Sequence, residues 1–192
     1  NGFTALRLNT GSNNVAVGRA ALYNNAAAPN NTAVGYQSLY ANTTGTQNAS
    51  LGAFALDANT TASNNTAVGF ASLSSNTTGI QNTSVGSQSL NVNTIGDYNS
   101  ALGQNALVAN TTGDYNTAVG YTAGGGISTG SNNTVIGALA GTAAMADTVL
   151  IGAGTTERIK VTSAGLFING SATAAVLDAA VAINGLTDGY SD

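Results

Sequence analysis

The side chains able to do acid, base or ligand chemistry are few. Histidine and cysteine are both absent, which removes the commonest general base, the commonest metal ligand and every thiolate or disulfide. Eight carboxylates remain, Asp57, Asp97, Asp114, Asp147, Glu157, Asp178, Asp188 and Asp192, with four basic residues, Arg7, Arg19, Arg158 and Lys160. Asp97 and Asp114 each precede Tyr-Asn at equivalent places. Stacked one above the other they could share a cation, but two carboxylates alone make a poor site, so they read as solvated turn residues. GGGIST, starting at Gly124, suggests a phosphate cradle, yet it lacks the lysine and following helix of a P-loop. Asn42, Asn59, Asn76 and Asn110 begin Asn-Thr-Thr, which fits the N-glycosylation pattern and equally a turn. Their threonine pairs raise ice binding as a minor alternative, weakened because the pairs adjoin glycine in a turn. Tyr36, Phe70 and Tyr121 could stack on sugars or on a neighbouring chain. None of these groupings makes an active site. The expectation is a protein that is not an enzyme and needs neither metal nor cofactor.

Composition narrows the class further. Only 6% of the 192 residues are charged and the net charge is −4, so the electrostatic footprint of a nucleic-acid binder is missing. With 43% hydrophobic residues the chain can still bury a core. No run of 18 apolar residues suggests a membrane span, and the first residues lack a signal-peptide pattern. The opening, in mid-repeat, suggests a piece cut from something longer.

The organising feature is a repeat. Glycine recurs every 17 residues at Gly18, Gly35, Gly52, Gly69, Gly86, Gly103, Gly120 and Gly137, and a shorter step of 15 reaches Gly152. Four places before each stands asparagine: Asn14, Asn31, Asn48, Asn65, Asn82, Asn99, Asn116 and Asn133. Directly before it stand Val17, Val34, Leu51, Val68, Val85, Leu102, Val119 and Ile136. Four places after it come Leu22, Leu39, Leu56, Leu73, Leu90 and Leu107, then Gly124 and Gly141. A unit this short cannot enclose a core and must stack on its copies. Its N-T-A-V-G-Y-Q-S-L segment alternates as a strand does, while N-T-T-G is rich in turn formers. A helix would carry Gly, Asn and Thr throughout its interior, at roughly 0.5–1 kcal/mol for each poor residue.

The fold class expected is therefore all-β, a parallel β-solenoid of 17-residue coils. Paired at about 4.8 Å per coil, nine coils make a rod of about 40 Å. The Asn column becomes a hydrogen-bonded ladder, and the Gly column supplies backbone freedom at a bend. In each strand the small column, Ala16, Ala33, Ser50, Ala67, Ser84, Ala101 and Ala118, reads as inward. The Val, Leu and Ile column then points outward as a stripe of several hundred Å², large enough to need a partner. The simplest cover is the same stripe on identical chains about a shared axis, a homotrimer. The opposite facing, Val inside and Ala outside, is the alternative.

The pieces NNVAVG, NTAVG, NTSVG, NSALG and NTVIG resemble the N-S-V-A-I-G repeat of trimeric autotransporter adhesin heads, the left-handed parallel β-roll of the YadA type. The longer unit NTAVGYQSLYANTTG resembles repeats of bacteriophage tail fibres. The resemblance spans residues 1–152 and implies a left-handed, homotrimeric roll. GTTERIKVTSAGLFING resembles the segment that follows such repeats in phage fibres. It reads as a hairpin cap over 153–170 turning at Ser163 to Gly165, followed by a helical or stalk-like connector over 171–192. The function implied is the structural shaft of a phage or phage-like tail or capsid fibre, located on the virion and serving host attachment. The alternative is a bacterial trimeric adhesin head at the cell surface. The partners implied are identical chains and, through the full-length fibre, a host-surface polysaccharide or protein receptor, with no nucleic acid and no membrane insertion.

Overall fold

The computed structural model describes residues 4–168. Within them the chain is all-β, without a helix, and forms a parallel β-solenoid. Eight three-residue strands mark its rungs: β1 Val15–Val17, β2 Thr32–Val34, β3 Ala49–Leu51, β4 Thr66–Val68, β5 Thr83–Val85, β6 Ser100–Leu102, β7 Thr117–Val119 and β8 Thr134–Ile136. Each pairs in parallel with the next at the 17-residue register, so that Ala33 lies beside Ser50 and Ser50 beside Ala67. β9, Val149–Ala153, joins β8 one short step on, with Thr134 beside Val149. It then pairs antiparallel with β10, Thr156–Thr162, which pairs antiparallel with β11, Gly165–Ile168. The connector expected over 171–192 lies outside the described residues, as do 169–170 of the expected cap.

The other sides of each coil stack as well: Leu39 N–H donates to Ala55 O at 2.9 Å and Ala41 N–H to Asp57 O at 3.0 Å. Coils approach so closely at the glycine column that a Cβ on Gly35 would lie 2.5 Å from the Gly52 carbonyl oxygen, and its φ of 138° suits glycine alone.

The core is thin. Ala33, Ala67, Ala101 and Ala118 are buried under the strands, and the leucines Leu22 to Leu107 fill the space opposite. These leucines hold left-handed backbone angles, φ 54° at Leu73 and 47° at Leu90. That conformation costs a non-glycine residue about 1–2 kcal/mol, and full burial of leucine returns about 1.5–3 kcal/mol. Packing therefore outweighs strain at every rung. The exchange reverses at Gly124, where φ is 62° without penalty and the leucine is missing. There Ile127 is fully buried and would meet a Cβ on Gly124 at 3.3 Å, so it fills the vacated volume. Gly141 repeats the device, with Ile127 and Met145 around it.

The asparagine column anticipated from sequence is buried from Asn31 to Asn133, with Asn14 partly so. From Asn14 to Asn116 each Oδ1 accepts the backbone N–H of the next asparagine, at 3.0 Å from Asn65 to Asn48 and 2.9 Å from Asn82 to Asn65, and the Asn133 Oδ1 accepts from the Thr148 N–H. Each Nδ2 donates to a carbonyl near the end of its own coil, at 2.8 Å from Asn31 to Gly45 and 2.9 Å from Asn65 to Gly79.

A second ladder stands where the sequence suggested only a turn. Asn25, Asn42, Asn59, Asn76, Asn93 and Asn110 are fully buried. Asn59 Nδ2 donates to Asn42 Oδ1 at 2.9 Å, and Asn76 to Asn59 at 3.1 Å. The same amides donate to the carbonyls already engaged by the first ladder: Gly45 O receives both Asn31 and Asn42, and Gly79 O both Asn65 and Asn76. The second ladder stops at Ile127, leaving Asn110 Oδ1 buried without a partner.

Replacing Asn65 by alanine strands the Asn82 N–H and one lone pair of the Gly79 carbonyl inside the coil. We expect a stability loss of roughly 3 kcal/mol, read by urea denaturation. A loss below about 1 kcal/mol would mean that the ladder does not hold the coils in register.

Candidate interaction face

Each strand points its middle residue inward and its first and third outward. Parallel pairing without slippage collects the outward residues into two columns. One is Val15, Thr32, Ala49, Thr66, Thr83, Ser100, Thr117 and Thr134. The other is Val17, Val34, Leu51, Val68, Val85, Leu102, Val119 and Ile136. Val17, Leu51 and Leu102 are 57%, 51% and 52% exposed, while Val34, Val68 and Val85 are half-buried. The facing with alanine inside is thus the one adopted, since Ala33 and Ala67 are inaccessible. Neither column carries a charge. Between them, over β5 to β7, runs a groove of about 340 Å³ lined by Thr83, Val85, Ser100, Leu102, Thr117 and Val119.

The other sequence candidates fall elsewhere. Asp97 and Asp114 are more than solvated turn residues: Asp97 Oδ1 accepts the Ile80 N–H at 2.7 Å and Asp114 Oδ1 the Asp97 N–H at 2.8 Å. Ser63 and Ser131 hydroxyls do the same for Thr46 and Asp114. One carboxylate oxygen of each aspartate is therefore committed to a rung-to-rung bond. Their neighbours Tyr98 and Tyr115 stack with centroids 4.8 Å apart and ring planes nearly parallel. Among the described residues no group of three or more potential metal ligands occurs, and no helix is long and apolar enough to cross a membrane.

The glycines of GGGIST spend their N–H groups within the solenoid, Gly124 on Leu139 O at 2.7 Å and Gly126 on Ala140 O at 2.8 Å, which leaves no cradle. Asn42, Asn59, Asn76 and Asn110 are fully buried, so the folded chain offers no glycosylation acceptor there. The first threonine of each pair hydrogen-bonds to the next coil, Thr43 Oγ1 to Thr60 O and Thr77 Oγ1 to Thr94 O, each at 3.0 Å, so these hydroxyls are not a free water-ordering array.

Comparison with family models gives no match, and neither the curated proteins nor the solved structures include a match to this chain. The fold defines a β-solenoid repeat protein with an uncharged, partly apolar strand face.

The Asp57 carboxyl has its pKa displaced upward. Half-burial pushes it above its ordinary 3.8, opposed by hydrogen bonds from the Asp57 and Ala58 amides, and its Oδ1 is buried without a partner. Because the folded value lies above the unfolded one, the stability this carboxyl contributes is fully present below pH 3.8 and lost as pH rises through the folded value. At neutral pH its charge therefore weakens the fold. Asp57→Asn should raise the melting temperature at pH 7 by up to about 3 °C, the effect of under 1 kcal/mol on a chain of this size. The gain should fade on acidification towards pH 3.8. No gain at pH 7, or one that persists in acid, would contradict this assignment.

Proposed function

We propose that this chain is part of the rigid shaft of a phage or phage-like tail or capsid fibre, in which three copies wind as left-handed rolls around a common axis and hold a host-attachment function away from the particle. The reading is carried by one observation, the exposed Val, Leu and Ile column running the length of the rod on a face without charge. Left in water, such a stripe is of the size that marks interaction surfaces. Copies related by a cyclic axis along the rod cover it with itself, rung against rung, and leave no part open. The repeated coil supplies stiffness, and length can be added by further rungs without a new core.

The resemblance of N-T-A-V-G to autotransporter head repeats supports a second reading, a bacterial surface adhesin, which uses the same stripe in the same way. Labelling intact phage particles and bacterial cells with antibody against this segment separates the two. Neither reading calls for catalysis, and Asp97 and Asp114, the stacked carboxylates, are engaged in rung-to-rung bonds.

The assembly is testable by multi-angle light scattering. The wild-type segment should have the mass of three chains. Replacing Val68 and Val85 together with Asp places unpaired charges near the shared axis, at a cost of several kcal/mol per chain, and should give monomers that retain the β spectrum. A monomeric, folded wild type would sink the proposal, and a variant that stays trimeric would move the interface to another face.

A further inference from the structure

The turn after each coil glycine builds a ridge beside the strand face, and on the early rungs that ridge is aromatic. Tyr36 and Phe54 meet edge to face with centroids 5.1 Å apart, and Phe54 meets Phe70 in the same way at 5.9 Å. The Arg19 guanidinium lies 5.8 Å from the Tyr36 ring. Tyr36 and Phe70 remain 39% and 53% exposed. On the following rungs the ridge continues with the exposed amides Gln88 and Gln104.

Three features decide what such a ridge fits. The first is its discontinuity. In a parallel trimer every rung meets the same rung of its neighbours, so a contact between copies asks for similar filling along the whole rod, as the Val and Leu column has. The ridge instead passes from aromatic to glutamine after Phe70 and turns aromatic again only at the exposed Tyr121, so its filling is not uniform along the rod. The second is its chemistry. Rings offer faces and edges to C–H groups, and side-chain amides offer both donors and acceptors. From Tyr36 to Gln104 the ridge positions carry no ionisable group other than the tyrosine phenol. That combination suits an uncharged polyhydroxylated partner over an ion or a charged peptide. The third is its period. Tyr36, Phe70 and Gln104 directly follow a coil glycine while Phe54 and Gln88 come one residue later, so equivalent positions recur on alternate rungs, about every 9.6 Å, close to the two-sugar repeat of an extended β-1,4-linked chain lying along the rod.

We propose that Tyr36, Phe54, Phe70, Gln88 and Gln104 form a binding ridge for a neutral, extended β-1,4-linked polysaccharide aligned with the rod axis. The aromatic groups contact sugar C–H faces and the glutamines bond to hydroxyls. The proposal rests on the host-attachment reading and gives it a ligand class.

The test is isothermal titration of the full chain with short β-1,4-linked oligosaccharides of glucose and of N-acetylglucosamine, with α-1,4-linked glucose oligosaccharides as the geometric control. Binding should occur with a β-linked series, be weaker for the α-linked one and vary little with salt. Tyr36→Ala with Phe70→Ala should weaken it about tenfold, the scale of a lost aromatic contact, with the oligomeric mass unchanged. Phe70→Leu, which keeps apolar bulk without a ring, serves if the double variant does not fold. Absence of binding to both β-linked series, or unaltered binding by the folded variants, would overturn the proposal. A fall in oligomeric mass on losing the rings would also overturn it, by assigning the ridge to contact between copies. Mass measured on the wild type alone reports separately on the fibre reading, so the two fail distinguishably.

Discussion

The buried asparagine amides are the constraint on which the rest of the solenoid depends. Two per rung lie inside a coil only one residue thick on its strand side, where an unpaired donor or acceptor costs about 1–3 kcal/mol. Their partners come from the adjoining rung and from a single shared carbonyl, Gly45 for Asn31 and Asn42 or Gly79 for Asn65 and Asn76. A slip of one residue would unpair all of these bonds together. The short strands, with three residues each, could not fix register so firmly by themselves.

From that register the two-sidedness of the strand follows. Backbones held close by the amides leave room beneath β2 to β7 for alanine or serine, valine entering only at Val135 on β8, where Gly124 and Gly141 stand in place of the leucines; where serines face each other they bond, as Ser72 Oγ does to Ser84 Oγ at 2.7 Å. Along β2 to β7 larger residues therefore point outward, which makes the interaction face there a consequence of the core. The leucines opposite accept left-handed backbone angles because the thin coil offers no other way to fill its volume. Near the C-terminal rungs the same space is filled differently. Gly124 and Ile127 exchange the roles of leucine and asparagine within one coil, and the cost is the unpartnered Asn110 oxygen.

The period, the first asparagine column and the inward alanines were legible because each recurs at one spacing and each has a single physical use. The second asparagine ladder was hidden by its setting. Asn-Thr-Thr-Gly has the composition of an exposed turn, and only the stacking of coils shows that the turn folds its asparagine inward while its threonines face out. The one available signal was the break in the column, asparagine up to Asn110 and then Ile127, since a solvated turn has no reason to exchange one for the other in step with Leu107 giving way to Gly124. The bonds of Asp97 and Asp114 to neighbouring rungs were likewise illegible, because serine, threonine, isoleucine and aspartate share that column and sequence does not reveal a common backbone partner. The half-buried Asp57 stands alone in its column between Tyr40 and Ser74, and no periodic signal marks it.

The central claim is that the outward Val and Leu column is covered by identical chains in parallel, in-register array. The natural absence of cysteine makes this directly measurable. A single cysteine introduced at Val85, on the stripe, lies near its own copies around the axis, whereas one introduced at Thr78, exposed on the N-T-T-G corner, does not. Mild oxidation at low protein concentration should convert the Val85→Cys chain rapidly to covalent dimers within the trimer and leave the Thr78→Cys chain unlinked. Equal crosslinking at both positions, or none at Val85, would contradict the account.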